Sequence, residues 1–153
     1  MKTLSKNLQQ LPINDTAQRI INTCEADFDA NNDACNNFLI AVASDLGITL
    51  NGLADDIVDQ IQGNGWAVLV DGPDAKAKAD LGWFVVAGLK GADNVPPQDH
   101  GHVAVIVTGP LANGKYPTGY WGMLDGQGKK NTTINWAWNA ASRDLVIYAG
   151  RQI

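Results

Sequence analysis

A chain of 153 residues, 45% hydrophobic and 18% charged, can bury one real core, and no shift in composition marks a second domain. Eleven basic residues against sixteen acidic ones leave a net charge of −5 with no clustered cationic face, which excludes nucleic acid as a partner. No apolar run approaches membrane-spanning length, and Lys2 and Lys6 precede no apolar core or small-residue cleavage site. Neither membrane insertion nor a conventional signal peptide is expected.

In chain order, residues 1–13 read as a polar lead-in. Asn14, Asp15 or Thr16 can cap a first helix, with Ala17, Ile20, Ile21, Cys24 and Phe28 at helical spacing. Residues 27–32 read as a polar loop, after which Asp33 is the expected N-cap of a second helix. Phe38, Leu39, Val42, Ala43 and Leu46 form its apolar stripe, and Gly47 stops it. A third helix after Asn51 is expected to bury Leu53, Ile57, Val58 and Ile61, to turn Asp55, Asp56 and Asp59 to water, and to end at Gly63. Residues 66–70 read as a strand and 74–80 as a short Ala-rich helix.

From residue 83 the pattern changes. Residues 83–89 are continuously apolar, as a central strand covered on both faces should be. Strands over 102–108 and 116–124 follow, the latter broken by Gly119 and Gly122. Residues 92–101 read as a loop, 126–131 as a polar turn and 144–151 as a last strand. Helices first, then strands joined by short turns, predict a single α+β domain over 1–153 with a mostly antiparallel sheet.

Two side chains stand out chemically. Cys35 falls in the first turn of the second helix, three residues before Phe38 and four before Leu39, so its sulfur runs along the buried face. The free N–H groups and positive dipole there favour thiolate, which suits a nucleophile; the plainer alternative is a small cysteine that only packs, as expected for Cys24. His102 opens the next clear strand, where alternation puts it with Ala104 and Ile106 on one face and Val103, Val105 and Val107 on the other.

A cysteine at a helix start and a histidine at a strand start make the papain-like arrangement. The imidazole takes the thiol proton as sulfur attacks an amide carbonyl, then protonates the leaving amine, with the Cys35 N–H as an oxyanion donor. Gly101 leaves room for a substrate or loop to approach the backbone. A third group should orient the imidazole; residues 116–124 offer Thr118, Tyr120 and backbone carbonyls, of which a carbonyl is expected.

Other constellations are weaker. His100 and His102, with Asp93 or Asp99, could meet zinc from one side, but the spacing matches no closed site, and neither metal nor cofactor is expected. Trp121, Trp136 and Trp138 can line a groove for a sugar or peptide, or pack in the core. Residues 88–91 lack phosphate-loop spacing.

The pattern Asp33-x-Cys35-x-x-Phe38, then Val42-Ala43 and Leu46-Gly47, resembles the catalytic helix of the first family of type VI secretion amidase effectors. These are NlpC-type, papain-like cell-wall peptidases. Val85-x-Ala87-Gly88-Leu89-Lys90-Gly91, then Gly101-His102-Val103-Ala104-Val105 and Gly109-Pro110-Leu111, continue the resemblance, with weaker echoes at Lys115-Tyr116-Pro117 and Trp138-Asn139.

It implies an NlpC-type fold and hydrolysis of the peptidoglycan stem peptide between D-glutamate and meso-diaminopimelate, with Cys35 as nucleophile, through a thioester, and His102 as base and acid. It also implies a toxin made in the cytoplasm, passed by secretion machinery into a rival's periplasm and neutralised at home by an immunity protein. Asn36-Asn37 replaces the family's usual Ser-Gly, and the loop over 92–100 is longer; both bear on specificity. Asn36, Gly101 and Trp121 are the residues expected against the substrate. The rivals are acyl transfer or self-wall remodelling on the same fold, and a non-catalytic wall-binding module.

Overall fold

The computed structural model describes residues 13–124 and 126–153, so the lead-in expected over 1–13 lies outside it save for Ile13. The first apolar stripe forms helix α1, Asp15–Asn31, and buries Ala17, Ile20, Cys24 and Phe28. Asn14 caps it, accepting from the N–H of Thr16 at 2.9 Å and of Ala17 at 3.2 Å. The helix runs through most of the loop expected at 27–32. Packing decides this, because the extra turn holds Phe28 edge-on to Phe38 with ring centroids 5.7 Å apart.

Helix α2, Cys35–Asp45, buries Phe38, Leu39, Val42 and Ala43. Its N-cap is Ala34, in extended conformation and with no side-chain cap, where Asp33 had been expected. The other end matches the expectation closely. Gly47, at φ +80°, donates to Ser44 O at 3.0 Å, and Ile48 donates to Ala43 O at 2.8 Å, a Schellman closure. Helix α3, Ala54–Gln60, begins later than expected, so Leu53 becomes its N-cap and stays 64% exposed, while Ile57, Val58 and Ile61 are buried. The Asp56 carboxylate accepts from Leu53 N at 2.9 Å and closes this start. Helix α4, Gly72–Asp80, is capped by Asp71.

The strands are β1 (Ala67–Val68), β2 (Phe84–Leu89), β3 (His102–Ile106), β4 (Thr118–Trp121), β5 (Lys129–Thr133) and β6 (Ile147–Arg151). Every pairing is antiparallel, in the order β1-β6-β2-β3-β4-β5. The fold is α+β, with the helices-then-sheet order of the papain-like class. Three strand expectations need correction. The apolar run at 66–70 pairs over only two residues. The turn expected at 126–131 gives way to β5, an edge strand whose polar, exposed start carries no apolar signal. Residues 143–145 form a 3-10 turn, so the last strand starts at Ile147.

Strand alternation sorts the core into two sides. Val86, Val103, Val105 and Val107 pack with α1, α2 and α3, whereas Val85, Ala87, Ala104 and Ile106 pack with α4 and with Ile134, Ala137 and Trp138. Phe38, Leu39 and Val42 are wholly buried, and each such side chain contributes about 1.5–3 kcal/mol. Gly122, just after β4, fixes where α2 starts. A Cβ there would stand 2.6 Å from Ala34 O and 3.1 Å from Asn31 O. No helix among the described residues is long and apolar enough to cross a membrane.

Candidate active site

The first residues of α2 and β3 open onto one cleft of about 970 Å³. Cys35 is half-buried and packs against the helical side of the core, and its sulfur lies against the backbone N–H of Val103. Burial pushes the Cys35 thiol up, while the N–H groups of Val103, Asn36 and Cys35 itself pull the other way. Desolvation wins. The thiolate expected from the helix start alone is therefore not the resting form; the thiol is.

His102 sits on the opposite face of the sheet, half-buried, with its ring edge-on to Trp138 at 5.0 Å and to Trp121 at 6.4 Å between centroids. Its Nε2 is sealed from solvent and has no hydrogen-bond partner. Burial pulls the imidazole down to about 4, so it is neutral near pH 7. Cysteine and histidine thus stand on different faces, and they share the cleft only because each is the first residue of its element.

The carbonyl expected to orient the ring is not bonded to Nε2. Thr118 and Tyr120, the side chains also weighed for that place, are used elsewhere: Thr118 Oγ1 donates to Pro110 O at 2.8 Å, and the Tyr120 hydroxyl donates to Glu25 Oε2 at 2.6 Å.

Asn36 lines the cleft and donates through Nδ2 to Gly52 O at 3.1 Å. Gly101 lines it too, but the close approach its missing side chain allows comes from α3. A Cβ there would meet the Asp55 carboxylate and stand 2.9 Å from Leu89 O, and Asp55 Oδ1 accepts from Gly91 N at 3.0 Å. Trp121, expected on the groove, is 1% exposed and lies behind the imidazole. Alternation on β4 turns it inward beside Ile134. Trp136 does stand at the cleft, 73% exposed, with Leu53 and Leu124 also exposed on the lining, while Trp138 is a buried part of the wall.

The loop after β2 supplies the other rim through Asn94, Gln98, Asp99 and His100. It is pinned by Ser142, which nothing in the sequence singles out, and by Asn139 of the weaker family echo. Val95 N donates to Ser142 Oγ at 2.9 Å, and Asn139 Nδ2 donates to Val95 O at 3.1 Å. Asp55, Asp56 and Asp99 line the cleft, and among the described residues no Lys or Arg does. His100 and His102 both border it, but among the described residues no group of three possible metal ligands gathers.

Helices leading into an antiparallel sheet, with Cys35 heading one helix and His102 heading one strand over a shared cleft, form an α+β arrangement that fits a papain-like amidase. No family model matches the chain. Over 142 residues, 86% of this chain and 88% of the relative, it is 34% identical to the peptidoglycan amidase Tse1 of Pseudomonas aeruginosa. The chain belongs to the Tse1 family.

Proposed function

We propose that this protein is a peptidoglycan amidase, acting as one domain, that uses Cys35 as nucleophile and His102 as general base and then acid. The supporting observation is the meeting of these two element starts on one cleft. A raised thiol and a lowered imidazole give a neutral pair at rest. Proton transfer then accompanies attack: sulfur bonds to the amide carbonyl carbon as its proton moves to the imidazole. The N–H groups at the start of α2 face the carbonyl oxygen as it becomes an oxyanion. Collapse expels the amine, which takes the proton from His102 and leaves a thioester on Cys35. Water, deprotonated by the same imidazole, hydrolyses it.

The bond is that between D-glutamate and meso-diaminopimelate in the stem peptide, as the family resemblance implies. An acidic lining without Lys or Arg suits a substrate carrying an amine. The same resemblance supports delivery by secretion machinery, action in a rival's periplasm and an immunity protein that covers the cleft; Leu53, Leu124 and Trp136 give such a partner exposed apolar surface.

Purified protein incubated with muropeptides, with mass spectrometry of the products, tests this reading. New free termini at that bond are the expected result. Cross-linked products would replace hydrolysis with transfer, and wild-type turnover by Cys35→Ala would remove the covalent mechanism.

A further inference from the structure

A cavity of about 290 Å³ opens at the far end of the sheet from the cleft. Strand β2 runs between the two: Leu89 pairs with His102 at the cleft end, and Phe84 pairs with Arg151 at the other. At about 3.3 Å per residue those ends stand about 17 Å apart. Trp66, Trp83, Arg151 and Gln152 line the cavity. Among the described residues Arg151 is its one cation, and no Asp or Glu lines it.

Arg151 is a charge without a partner of opposite sign. Its guanidinium carbon lies 5.5 Å from the centroid of the Trp66 ring, and its Nε is sealed from solvent with no hydrogen-bond partner. The ion pairs among the described residues are made by Lys76, Lys78, Lys90 and Lys130, none by Arg151, although the chain carries a net charge of −5. Buried polar groups rarely stay unpaired, and a desolvated cation is costlier still.

Strand alternation shapes the space around it. Phe84 faces the helical side with Trp66, and its pair Arg151 shares that face; Val85 and its pair Gly150 face the other side with Trp83. Two glycines keep the cavity open. A Cβ on Gly150 would stand 3.3 Å from Trp83 Cε3, and one on Gly65, at φ +87°, would stand 3.7 Å from Arg151 Nη1.

These groups specify a ligand. A guanidinium fork matches a carboxylate through two parallel hydrogen bonds, the indole rings take a small apolar group, and Gln152 can bond an amide. One cation suits one carboxylate, where a phosphate backbone would need a cluster. The volume falls at the small end of the about 300–1,000 Å³ that drug-sized ligands fill, which admits a single residue and not a disaccharide.

We infer that this cavity is a second binding site, taking the free terminal carboxylate of a peptide whose last residue is small, with Arg151 as the anion fork and Trp66 and Trp83 as the walls. Under the proposed function, on which the identity of the polymer rests, the ligand is the carboxylate end of an uncross-linked stem peptide. No bond is made or broken there; the site anchors. An intact wall carries many stems, so holding one at the far end of β2 concentrates its neighbours at Cys35, whereas a lone soluble muropeptide gains nothing.

The chain has five tryptophans, so NMR of the labelled full chain follows each indole N–H, with Trp66→Phe and Trp83→Phe for assignment. N-acetyl-D-alanine is expected to shift the Trp66 and Trp83 signals saturably in the millimolar range. N-acetyl-D-alaninamide, inorganic phosphate and a tetramer of N-acetylglucosamine should leave them in place. Arg151→Gln abolishes the shift, and Arg151→Lys, which keeps the charge without the fork, restores little of it.

In turnover, Arg151→Gln is expected to lower the rate on intact sacculi by about 10-fold and to leave kcat and KM on soluble muropeptide unchanged. No shift with N-acetyl-D-alanine in the wild-type chain, an equal shift with the amide, phosphate or sugar, or equal losses on sacculi and muropeptide would each overturn the inference. If Cys35→Ala is inactive and no shift occurs, only the second site falls. If the shift occurs and Cys35→Ala keeps wild-type turnover, the carboxylate site stands and the covalent mechanism falls.

Discussion

Helices α1 and α2 pack against each other yet begin in opposite ways. At α1 the Asn14 side chain accepts from two of the first free N–H groups. At α2 the cap position is Ala34, with no side chain to offer, and the N–H groups of Cys35 and Asn36 act on the sulfur. A side-chain cap is worth about 0.5–2 kcal/mol, so leaving α2 uncapped forgoes stability that α1 takes. The difference teaches where the fold yields to chemistry. Donors that would be spent on a cap act on the Cys35 sulfur and, in the proposed mechanism, stay available for an oxygen that becomes charged. The two cysteines repeat the contrast: Cys24, in the middle of α1, is wholly buried with its thiol raised well above the ordinary value, whereas Cys35 at the open end is only half-buried.

The harshest way to break this comparison is to remove the proposed reacting groups, Cys35 at the uncapped end and His102 across the cleft. Cys35→Ala and His102→Ala are each expected to lower kcat on muropeptides by about 10³-fold or more, with the double variant hardly worse, because groups acting as a unit are not additive. Next comes the start of α2 itself. Gly122→Ala drives a methyl against Ala34 O and shifts the helix entry. A displacement near 1 Å costs about 100-fold in turnover, so activity should fall well beyond the accompanying drop in melting temperature.

A smaller effect sharpens the electrostatic side. An ordinary imidazole charges below about pH 6.5. His102, lowered to about 4, stays neutral as pH falls from 7 to 5, so kcat/KM should hold across that range and decline only near 4. A decline centred at the ordinary histidine value would contradict the buried, neutral ring. The mildest change is at the capped end. Asn14→Ala should cost about 1 kcal/mol, visible as a lower thermal midpoint, and leave kcat untouched. If it lowers turnover instead, the two helix starts are not functionally distinct.

What the sequence revealed follows the same division. The interior strands were legible because burial on both faces writes a continuous apolar run, as at β2, and because alternation around β3 assigns each valine to a side. The stop at Gly47 was legible as a residue tolerant of positive φ placed after an apolar stripe. The start of α2 was not. Asp33 looks the better cap in isolation, and only the packing of Gly122 on the Ala34 carbonyl explains why the helix begins later. Edge strand β5 was hidden by its polarity, and Trp121 by the fact that an aromatic residue on a strand fits a groove or a core equally well. The wall formed by Asn135, Trp138 and Asn139 has no period at all. Trp138 meets His102 and Asn139 meets the rim loop through tertiary approach, which spacing along the chain does not encode.

The placement of β6 carries a consequence for how the sheet holds together. This strand, the latest of the six in the sequence, lies between β1 and β2 and bonds to both. Residues 147–151 therefore splice the sheet: drawing them out would strand β1 and bare a row of backbone N–H and C=O groups along β2.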